Sequence, residues 1–232
     1  MQRKARIGGA RAVAAALAAM GGLAASPARA TDADGQVWLT LNALTQWDKI
    51  GLQLDLQSRL TDNFRHPNQE NARLTITYPL NRAVSLGGGY YIGYSELPDV
   101  SDLVEHRPFE QVSVAVGGLP KGVSLVSRTR LEQRVRREAT GTGLRAFEQV
   151  KAQFPLVGRL GGIALIEAAW NFNTTPWGQR TGFGTARAAV QLNVPVNASV
   201  SVQPGYSGQY VKRWHNEGRF YHAFLLNLVV KA

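Results

Sequence analysis

The stretch Ser124–Glu138, SLVSRTRLEQRVRRE, changes character at every second residue. One set of alternating positions is apolar or neutral, with Gln133 as the exception. The other set is charged and consists of Arg128, Arg130, Glu132, Arg134 and Arg136. Successive side chains of a β-strand point to opposite faces, so this pattern indicates a strand with one apolar and one charged face. A water-exposed strand has no need of five charges at such regular spacing, so the environment of each face decides the fold.

The same two-residue period recurs in most of the chain beyond residue 36. It is clear in IGLQLDLQSRL (50–60), ARLTITY (72–78) and FYHAFLLNLVV (220–230). A helix would spread these alternating residues around its whole axis, so the pattern predicts strands. We predict eleven segments, at residues 36–47, 49–60, 71–80, 83–95, 104–117, 122–136, 143–156, 161–173, 183–194, 197–210 and 218–231.

Composition excludes several classes of protein. Hydrophobic residues make up 44% of the 232 residues, yet nothing after the leader region is continuously apolar for the roughly 20 residues that a membrane-spanning helix needs. The chain has no cysteine, which excludes disulfides and thiolate metal sites. No His, Asp and Glu cluster has the spacing of metal ligands, so we predict neither a metal nor another cofactor.

The first thirty residues have the features of a secretory signal peptide. A basic start, MQRKARIGGAR, precedes the mildly apolar AVAAALAAMGGLAA, and SPARA ends in a small-x-small site at Ala28-Arg29-Ala30. A mitochondrial-type presequence, also basic and rich in alanine, is the alternative. We predict a signal peptide at 1–30 and one barrel domain at 31–232. Cleavage removes five of the 26 basic residues, leaving 21 against 16 acidic residues and a net charge of +5, so we predict no nucleic-acid partner.

Two architectures accommodate about eleven strands of this kind. One is a soluble β-sandwich or lipocalin-like barrel with an apolar interior, and the other is an outer-membrane barrel with an apolar exterior. The polar faces carry Gly, Ser, Thr, Gln and opposite charges rather than many lysines, which favours the membrane barrel. Aromatic residues near strand ends suggest interfacial girdles: Trp38, Trp47, Tyr78, Tyr94, Trp170, Phe172, Tyr206 and Tyr210.

The connections between segments also favour the membrane barrel. Short ones such as YPLNRA and NVPVNA alternate with long ones such as TDNFRHPNQENA and NFNTTPWGQRTG. We therefore predict an all-β fold: a single antiparallel transmembrane β-barrel of about 10–12 strands, with short periplasmic turns and longer extracellular loops. Bacterial barrels have even strand counts with both chain ends on the short-turn side. Eleven segments conflict with that rule, either because one element is split or missed or because 36–47 is not an ordinary wall strand.

The charged faces would then line the barrel interior. Parity assigns twelve residues to one interior network: Arg128, Arg130, Glu132, Arg134, Arg136, Glu105, Arg107, Glu167, Arg145, Arg187, Arg59 and Asp55. Arginines and carboxylates in a narrow barrel can neutralise one another in pairs. Glu148 falls on the apolar face instead, so we predict a bulge or a position at the membrane rim there.

The order of several short motifs resembles a family of bacterial outer-membrane proteins catalogued as domain of unknown function 2490. The motifs are DGQVW at the mature start, YPLNRAVSLGGGY, EHRPFEQ, RTRLEQR and the late Gly205-Tyr206. They extend over essentially the whole mature chain. The resemblance implies an outer-membrane β-barrel and implies no chemistry.

Three roles remain open from the sequence. The first is a structural barrel or a narrow pore whose positive lumen passes small anions. An enzyme that acts on lipids or esters near the membrane rim is the alternative, but only His106 lies beside the charged wall, without an obvious serine partner. Adhesion through long loops is the third. The expected partners are outer-membrane lipid, lipopolysaccharide and, during biogenesis, the barrel-insertion machinery.

Overall fold

Each of the alternating segments forms one strand, and the strands close into a barrel. The computed structural model describes residues 34–61, 66–96, 102–213 and 218–232. Within them the secondary structure is all β, and the predicted signal peptide at 1–30 lies outside the described residues. The strands are β1 (Asp34–Trp47), β2 (Ile50–Thr61), β3 (His66–Pro79), β4 (Val84–Ser95), β5 (Leu103–Ala115), β6 (Ser124–Arg136), β7 (Gly143–Pro155), β8 (Gly161–Asn171), β9 (Gly182–Pro195), β10 (Val200–Val211) and β11 (Arg219–Lys231).

The barrel closes through a parallel pair of strands. Every sequential neighbour from β1 to β11 pairs antiparallel, and β1 then pairs parallel with β11 over the register Asp34↔Tyr221 to Leu44↔Lys231. An odd number of strands requires this closure, because eleven alternating directions leave the first and last strand pointing the same way. The eleven described strands therefore fall within the predicted range of 10–12, but the even count expected of a bacterial barrel is not met.

The connections divide between the two ends of the barrel. Residues 48–49, 80–83, 116–123, 156–160 and 196–199 join strands at one end, here called the turn end. Residues 62–65, 96–102, 137–142, 172–181 and 212–218 join them at the other, here called the loop end. The difference in length is less regular than the sequence suggests, because 116–123 is longer than 62–65 or 137–142. β1 begins at the loop end and β11 finishes at the turn end.

The outer face of the barrel is apolar around its circumference. In each strand the residues of one parity are exposed and are mostly Leu, Ile, Val or aromatic, whereas the other parity points inward. Large exposed residues of this face include Leu39, Leu41, Leu54, Leu56, Leu74, Ile76, Ile92, Val112, Val114, Leu131, Ile166, Val190, Leu192, Phe224, Leu226 and Leu228. No helix among the described residues is long and apolar enough to cross a bilayer.

Trp38 departs from the predicted aromatic girdle. Its side chain points into the barrel and is only 1% exposed, so its assignment to a girdle on the outer face is wrong. The indole Nε1 donates a hydrogen bond to Gln36 Oε1 at 2.8 Å, so the buried ring has a partner for its N–H. Trp47, Tyr78, Trp170 and Tyr210 do lie exposed on the outside near strand ends, whereas exposed Tyr206 lies in the middle of β10.

Glu148 also departs from the prediction. It lies in the middle of β7 on the outer face, and the register of β7 with β6 and β8 continues past it without a bulge. Ser127 Oγ and Thr129 Oγ1 of β6 each donate a hydrogen bond of 2.5 Å to its carboxylate. Neighbouring hydroxyls, rather than a bulge or a rim position, therefore accommodate this charge on an otherwise apolar face.

Candidate functional site

The barrel interior carries many more cationic than acidic side chains. All twelve residues of the predicted network belong to the inward-pointing parity of their strands. Inside the described strands, leaving out the first residue of β1 (Asp34) and the two end residues of β11, the interior cations are Arg59, Arg73, Arg107, Arg128, Arg130, Arg134, Arg136, Arg145, Lys151 and Arg187. The interior acids, counted in the same strands, are Asp55, Glu105, Glu132 and Glu167. Ten cations against four acids leave a surplus of six positive charges.

Glu105 binds three arginines near the loop end. It is 4% exposed and accepts from Arg107 Nε at 2.6 Å, from Arg134 through Nε at 2.6 Å and Nη2 at 3.0 Å, and from Arg136 Nε at 3.3 Å. The forked contact with Arg134 is the geometry in which guanidinium and carboxylate match best. One buried carboxylate thus holds three arginines of β5 and β6.

Residues 172–181, here called the capping loop, fold onto this cluster. Trp177 lies under the Arg136 guanidinium at 4.3 Å, and its carbonyl accepts from Arg136 Nη1 at 3.1 Å. Buried Gln179 accepts from Arg134 Nη1 at 3.0 Å and donates to Asn173 Oδ1 at 2.9 Å. The indole Nε1 of Trp177 donates to the Gly141 carbonyl at 2.9 Å. The capping loop is therefore tied to interior arginines and to the neighbouring connection.

Arg130 is packed in the middle of the charged wall. It is 2% exposed, donates to Gln111 Oε1 at 2.9 Å and lies over the Phe109 ring at 4.1 Å. Phe109 has room because the facing residue is glycine: a β-carbon at Gly89 would lie 2.7 Å from Phe109 Cζ. Glu132 lies 3.7 Å from Arg130 and is bonded to Arg145 as well. This part of the interior is filled with tightly packed side chains.

Two further carboxylates each hold one arginine. Asp55 binds Arg73 Nε at 2.9 Å and also accepts from Asn42 and Gln53, both at 2.7 Å. On the opposite part of the wall, Glu167 binds Arg187 Nη2 at 2.5 Å, and Gln149 donates to the same carboxylate.

Trp38 forms part of the interior surface between these regions. The guanidiniums of Arg59 and Arg187 lie 3.9 and 5.3 Å from its ring centre, which is cation–π contact. The ring also packs with Ala189, Ala223 and Leu225 in a small apolar cluster. β8–β11 and β1 thus contribute a small apolar cluster and few charges to the interior, whereas β2–β7 contribute most of the charge.

Arg128 and Lys151 lie in the half of the barrel nearer the turn end and have no carboxylate partner within hydrogen-bond distance among the described residues. Arg128 Nε is shielded from solvent and unpaired in the described part of the chain, and so is Arg187 Nε. Arg128 interacts electrostatically with Arg73 and Arg187 and, more remotely than by hydrogen bonds, with Asp55 and Glu167. Lys151 interacts with Arg128, Lys231 and Asp55. This part of the interior therefore holds cations that no hydrogen-bonded carboxylate compensates.

The histidine considered for catalysis points away from the charged wall. His106 lies on the outer face of β5, and its Nδ1 is 2.7 Å from the Tyr90 hydroxyl, whereas the flanking Glu105 and Arg107 point inward. The sequence placed His106 beside the charges because it is adjacent to them in the chain. Three His, Asp or Glu side chains do not come together as a metal site in the described residues.

Comparison with known proteins shows the family of this chain. The family described as "Protein of unknown function (DUF2490)" matches residues 35–220, which is most of the chain. The chain belongs to the DUF2490 family. The resemblance inferred from short motifs is thereby confirmed, and the match extends from β1 to the start of β11.

A relative of similar length is known for this DUF2490 protein. An uncharacterized protein of Methylorubrum extorquens is 29% identical over 203 residues, which cover 85% of this chain and 88% of the relative. No solved structure matches the chain significantly. The family and the relative carry no recorded activity in their descriptions, so the interior residues themselves have to indicate the function.

The sequence missed the residues that reach the interior from outside the regular strand pattern. Trp177 and Gln179 belong to a connection, where no two-residue period applies, and the pattern has no means of showing that a loop folds inward. Trp38 was recognised as aromatic but assigned to the wrong face. Its neighbours Gln36 and Thr40 share its parity and are polar, and that parity is the signal that places it inside.

Proposed function

We propose that this DUF2490 protein is an integral β-barrel of the bacterial outer membrane whose positively charged interior is a narrow path for small anions. The observation that carries this function is the surplus of six interior cations inside a wall with an apolar exterior. Rings of basic side chains select anions in pores. The predicted export signal at 1–30 agrees with this location.

The outer face supports insertion in a membrane. Exposed apolar side chains go around the barrel, far beyond the patches of a few hundred Å² that a soluble monomer usually shows. Trp47 and Tyr78 near the turn end and Trp170 and Tyr210 near the loop end correspond to two aromatic belts. Outer-membrane lipid is the solvent proposed for this face, and lipopolysaccharide and the barrel-insertion machinery are its proposed partners.

The capping loop is proposed to close the path at the loop end. Trp177 and Gln179 hold Arg136 and Arg134 across the opening. In the orientation usual for outer-membrane barrels, long loops face outward and short turns face the periplasm. The closed end would then face the cell exterior, and the half that contains Arg128 and Lys151 would face the periplasm.

The location can be tested by fractionating cells that express the full-length protein. We expect the protein, processed near Thr31, in outer-membrane fractions, with heat-modifiable migration on gels. Recovery as a soluble periplasmic protein after lysis without detergent would contradict the membrane assignment.

The path can be tested by conductance in planar bilayers. We expect small currents whose reversal potential under a KCl gradient shows a preference for chloride. A double variant Trp177→Ala and Gln179→Ala removes two anchors of the capping loop and should increase the fraction of time spent open. The control Trp47→Ala changes an exposed aromatic residue at the turn end and should leave gating unchanged. Cation preference, or the absence of current even in the double variant, would contradict the proposal.

A further inference from the structure

Three arginines approach the barrel axis from three sides. Arg73 belongs to β3, Arg128 to β6 and Arg187 to β9, so they lie on widely separated parts of an eleven-stranded wall. Long side chains from such positions meet near the axis of a narrow barrel. In agreement, Arg128 interacts electrostatically with both Arg73 and Arg187.

The carboxylates in this region are already occupied. Asp55 binds Arg73 at 2.9 Å and accepts from two amide side chains, and Glu167 binds Arg187 at 2.5 Å with Gln149 as a second donor. Arg128 receives none of this hydrogen bonding. Its Nε, like that of Arg187, is shielded from solvent without a partner in the described residues. A shielded guanidinium N–H without an acceptor is costly, so an acceptor from outside the protein is expected for these two Nε groups.

The path from the turn end to Arg128 is lined by cations that have no hydrogen-bonded carboxylate. Lys231 at the end of β11, Lys151 in β7 and then Arg128 follow one another inward from the turn end, and Lys151 interacts electrostatically with both others. Toward the loop end, by contrast, Glu105 and the capping loop already bind the arginines. An anion entering from the turn end meets cations without a hydrogen-bonded carboxylate, whereas one entering from the loop end first meets arginines that already bind Glu105 and the capping loop.

We propose that Arg128, together with Arg73, Arg187 and Lys151, forms a saturable binding site for a phosphate-type oxyanion. Guanidinium groups match oxyanions through paired N–H donors. Donors from three directions suit a tetrahedral anion, whereas one arginine fork already saturates a planar carboxylate. The barrel wall separates the site from lipid, so the ligand is inorganic phosphate or the phosphate group of a small solute. This site deepens the proposed anion path and rests on it for its role in transport, but the binding can be measured alone.

The test is titration of the purified mature barrel in detergent with inorganic phosphate, against chloride at the same ionic strength. Calorimetry should show saturable phosphate binding, and the unfolding midpoint should rise with phosphate more than with chloride. Arg128→Gln should weaken phosphate binding about tenfold or more, as expected for the loss of hydrogen bonds from a charged donor. The unfolding midpoint of this variant without phosphate should not fall, because Arg128 has no hydrogen-bonded carboxylate that the substitution would leave unpaired.

Two further variants make the result decisive. Lys151→Gln should weaken phosphate binding as well. If the Arg128→Gln variant does not fold, Lys151→Gln serves as the test variant instead. Arg159→Gln, in the exposed connection 156–160 at the turn end, is the matched control and should bind phosphate like the wild type. Wild-type protein that shows no phosphate effect beyond that of chloride would overturn the site. Undiminished binding in both Arg128→Gln and Lys151→Gln would overturn it too.

The outcome separates the site from the proposed function. Anion-selective currents without saturable phosphate binding would remove the site and leave the path standing. Phosphate binding that Arg128→Gln abolishes, in a barrel that conducts no ions, would keep the site and remove the path.

Discussion

Individual carboxylates contribute strongly to stability in an interior where cations are in excess. Glu132 pairs with two arginines, and Glu105 pairs with three through hydrogen bonds between 2.6 and 3.3 Å. Removing an arginine relieves repulsion among the remaining cations. Removing an acid leaves buried cations without any compensation. Stability should therefore depend more on the four acids than on individual arginines.

Glu105→Gln tests this asymmetry. The substitution keeps the shape of the side chain but leaves Arg107, Arg134 and Arg136 without their shared charge. We expect a loss of about 3–5 kcal/mol in the free energy of unfolding, the usual cost of breaking a buried ion pair. The midpoint of heat-modifiable gel migration, or calorimetry in detergent, measures it.

Glu138→Gln is the matched control for Glu105→Gln. Glu138 pairs with Arg137 at 3.3 Å, but both side chains are exposed, so its loss should cost about 0–1 kcal/mol. Equal melting of the two variants would mean that the neighbourhood of Glu105 is wet and that water screens its arginines.

Residue parity was predictable, but the pairing of charges was not. The two-residue period assigns Glu105 and Arg134 to one face from the sequence alone. The period does not show whether the two residues are in contact. Contact between neighbouring strands depends on their register, which here pairs Glu105 with Arg136 and Gln111 with Arg130. Residues in connections, such as Trp177, follow no period at all. The members of the strand network were thus accessible to sequence reasoning, whereas its geometry and its cover at the loop end were not.

Within each strand, the outward-pointing and the inward-pointing residues lie in two different environments. In β11, Phe224, Leu226 and Leu228 are exposed outside, whereas Ala223 and Leu225 are buried inside. The interior of this strand is apolar too, so hydrophobicity alone does not identify its outer face. The closed register with β10 and β1 does identify it.

Cysteine pairs on adjacent residues test this division in the membrane. The chain has no native cysteine, so each substitution gives one thiol. We expect Leu226→Cys and Leu54→Cys to react with a lipid-soluble maleimide in proteoliposomes, because membrane strands alternate between lipid and lumen. Asn227→Cys and Gln53→Cys, one residue away, should stay unlabelled by it. The reverse pattern of labelling would indicate an apolar-filled soluble barrel.

The strand boundaries were largely predictable because each segment ends at residues that favour turns. The sequence predicted 122–136 and 161–173, and the structure has Ser124–Arg136 and Gly161–Asn171. The largest difference is in β3, which begins at His66 rather than near residue 71. Polar residues 66–71 show no apolar alternation, so their strand character depends on pairing with β2.

For the whole molecule, closure is the property that local sequence patterns determine least. A period of two predicts strands and faces, but it contains no information on which strand meets which. The parallel pairing of β1 with β11 resolves the odd count by placing the two chain ends at opposite ends of the barrel. An even barrel closed by an antiparallel pair would need another strand or one strand fewer.

A disulfide across the closing pair tests this topology. Thr40 and Asn227 are register partners in β1 and β11 and both point inward, so the double variant Thr40→Cys, Asn227→Cys should oxidise to a disulfide. Register partners lie within the Cα separation of about 4.4–6.8 Å that a disulfide allows. The cross-link joins the first and last strands, so it should shift migration on non-reducing gels and hinder heat unfolding.

The matched control keeps one cysteine and moves the other along β11. Thr40→Cys with Ala223→Cys places the second thiol four residues from register, which is about 13 Å at the rise of a strand. That distance is too long for a disulfide, so the control should stay reduced. Oxidation of the control but not of the register pair would show that β1 meets β11 in another register or does not meet it in parallel, and the eleven-stranded closure would then be wrong.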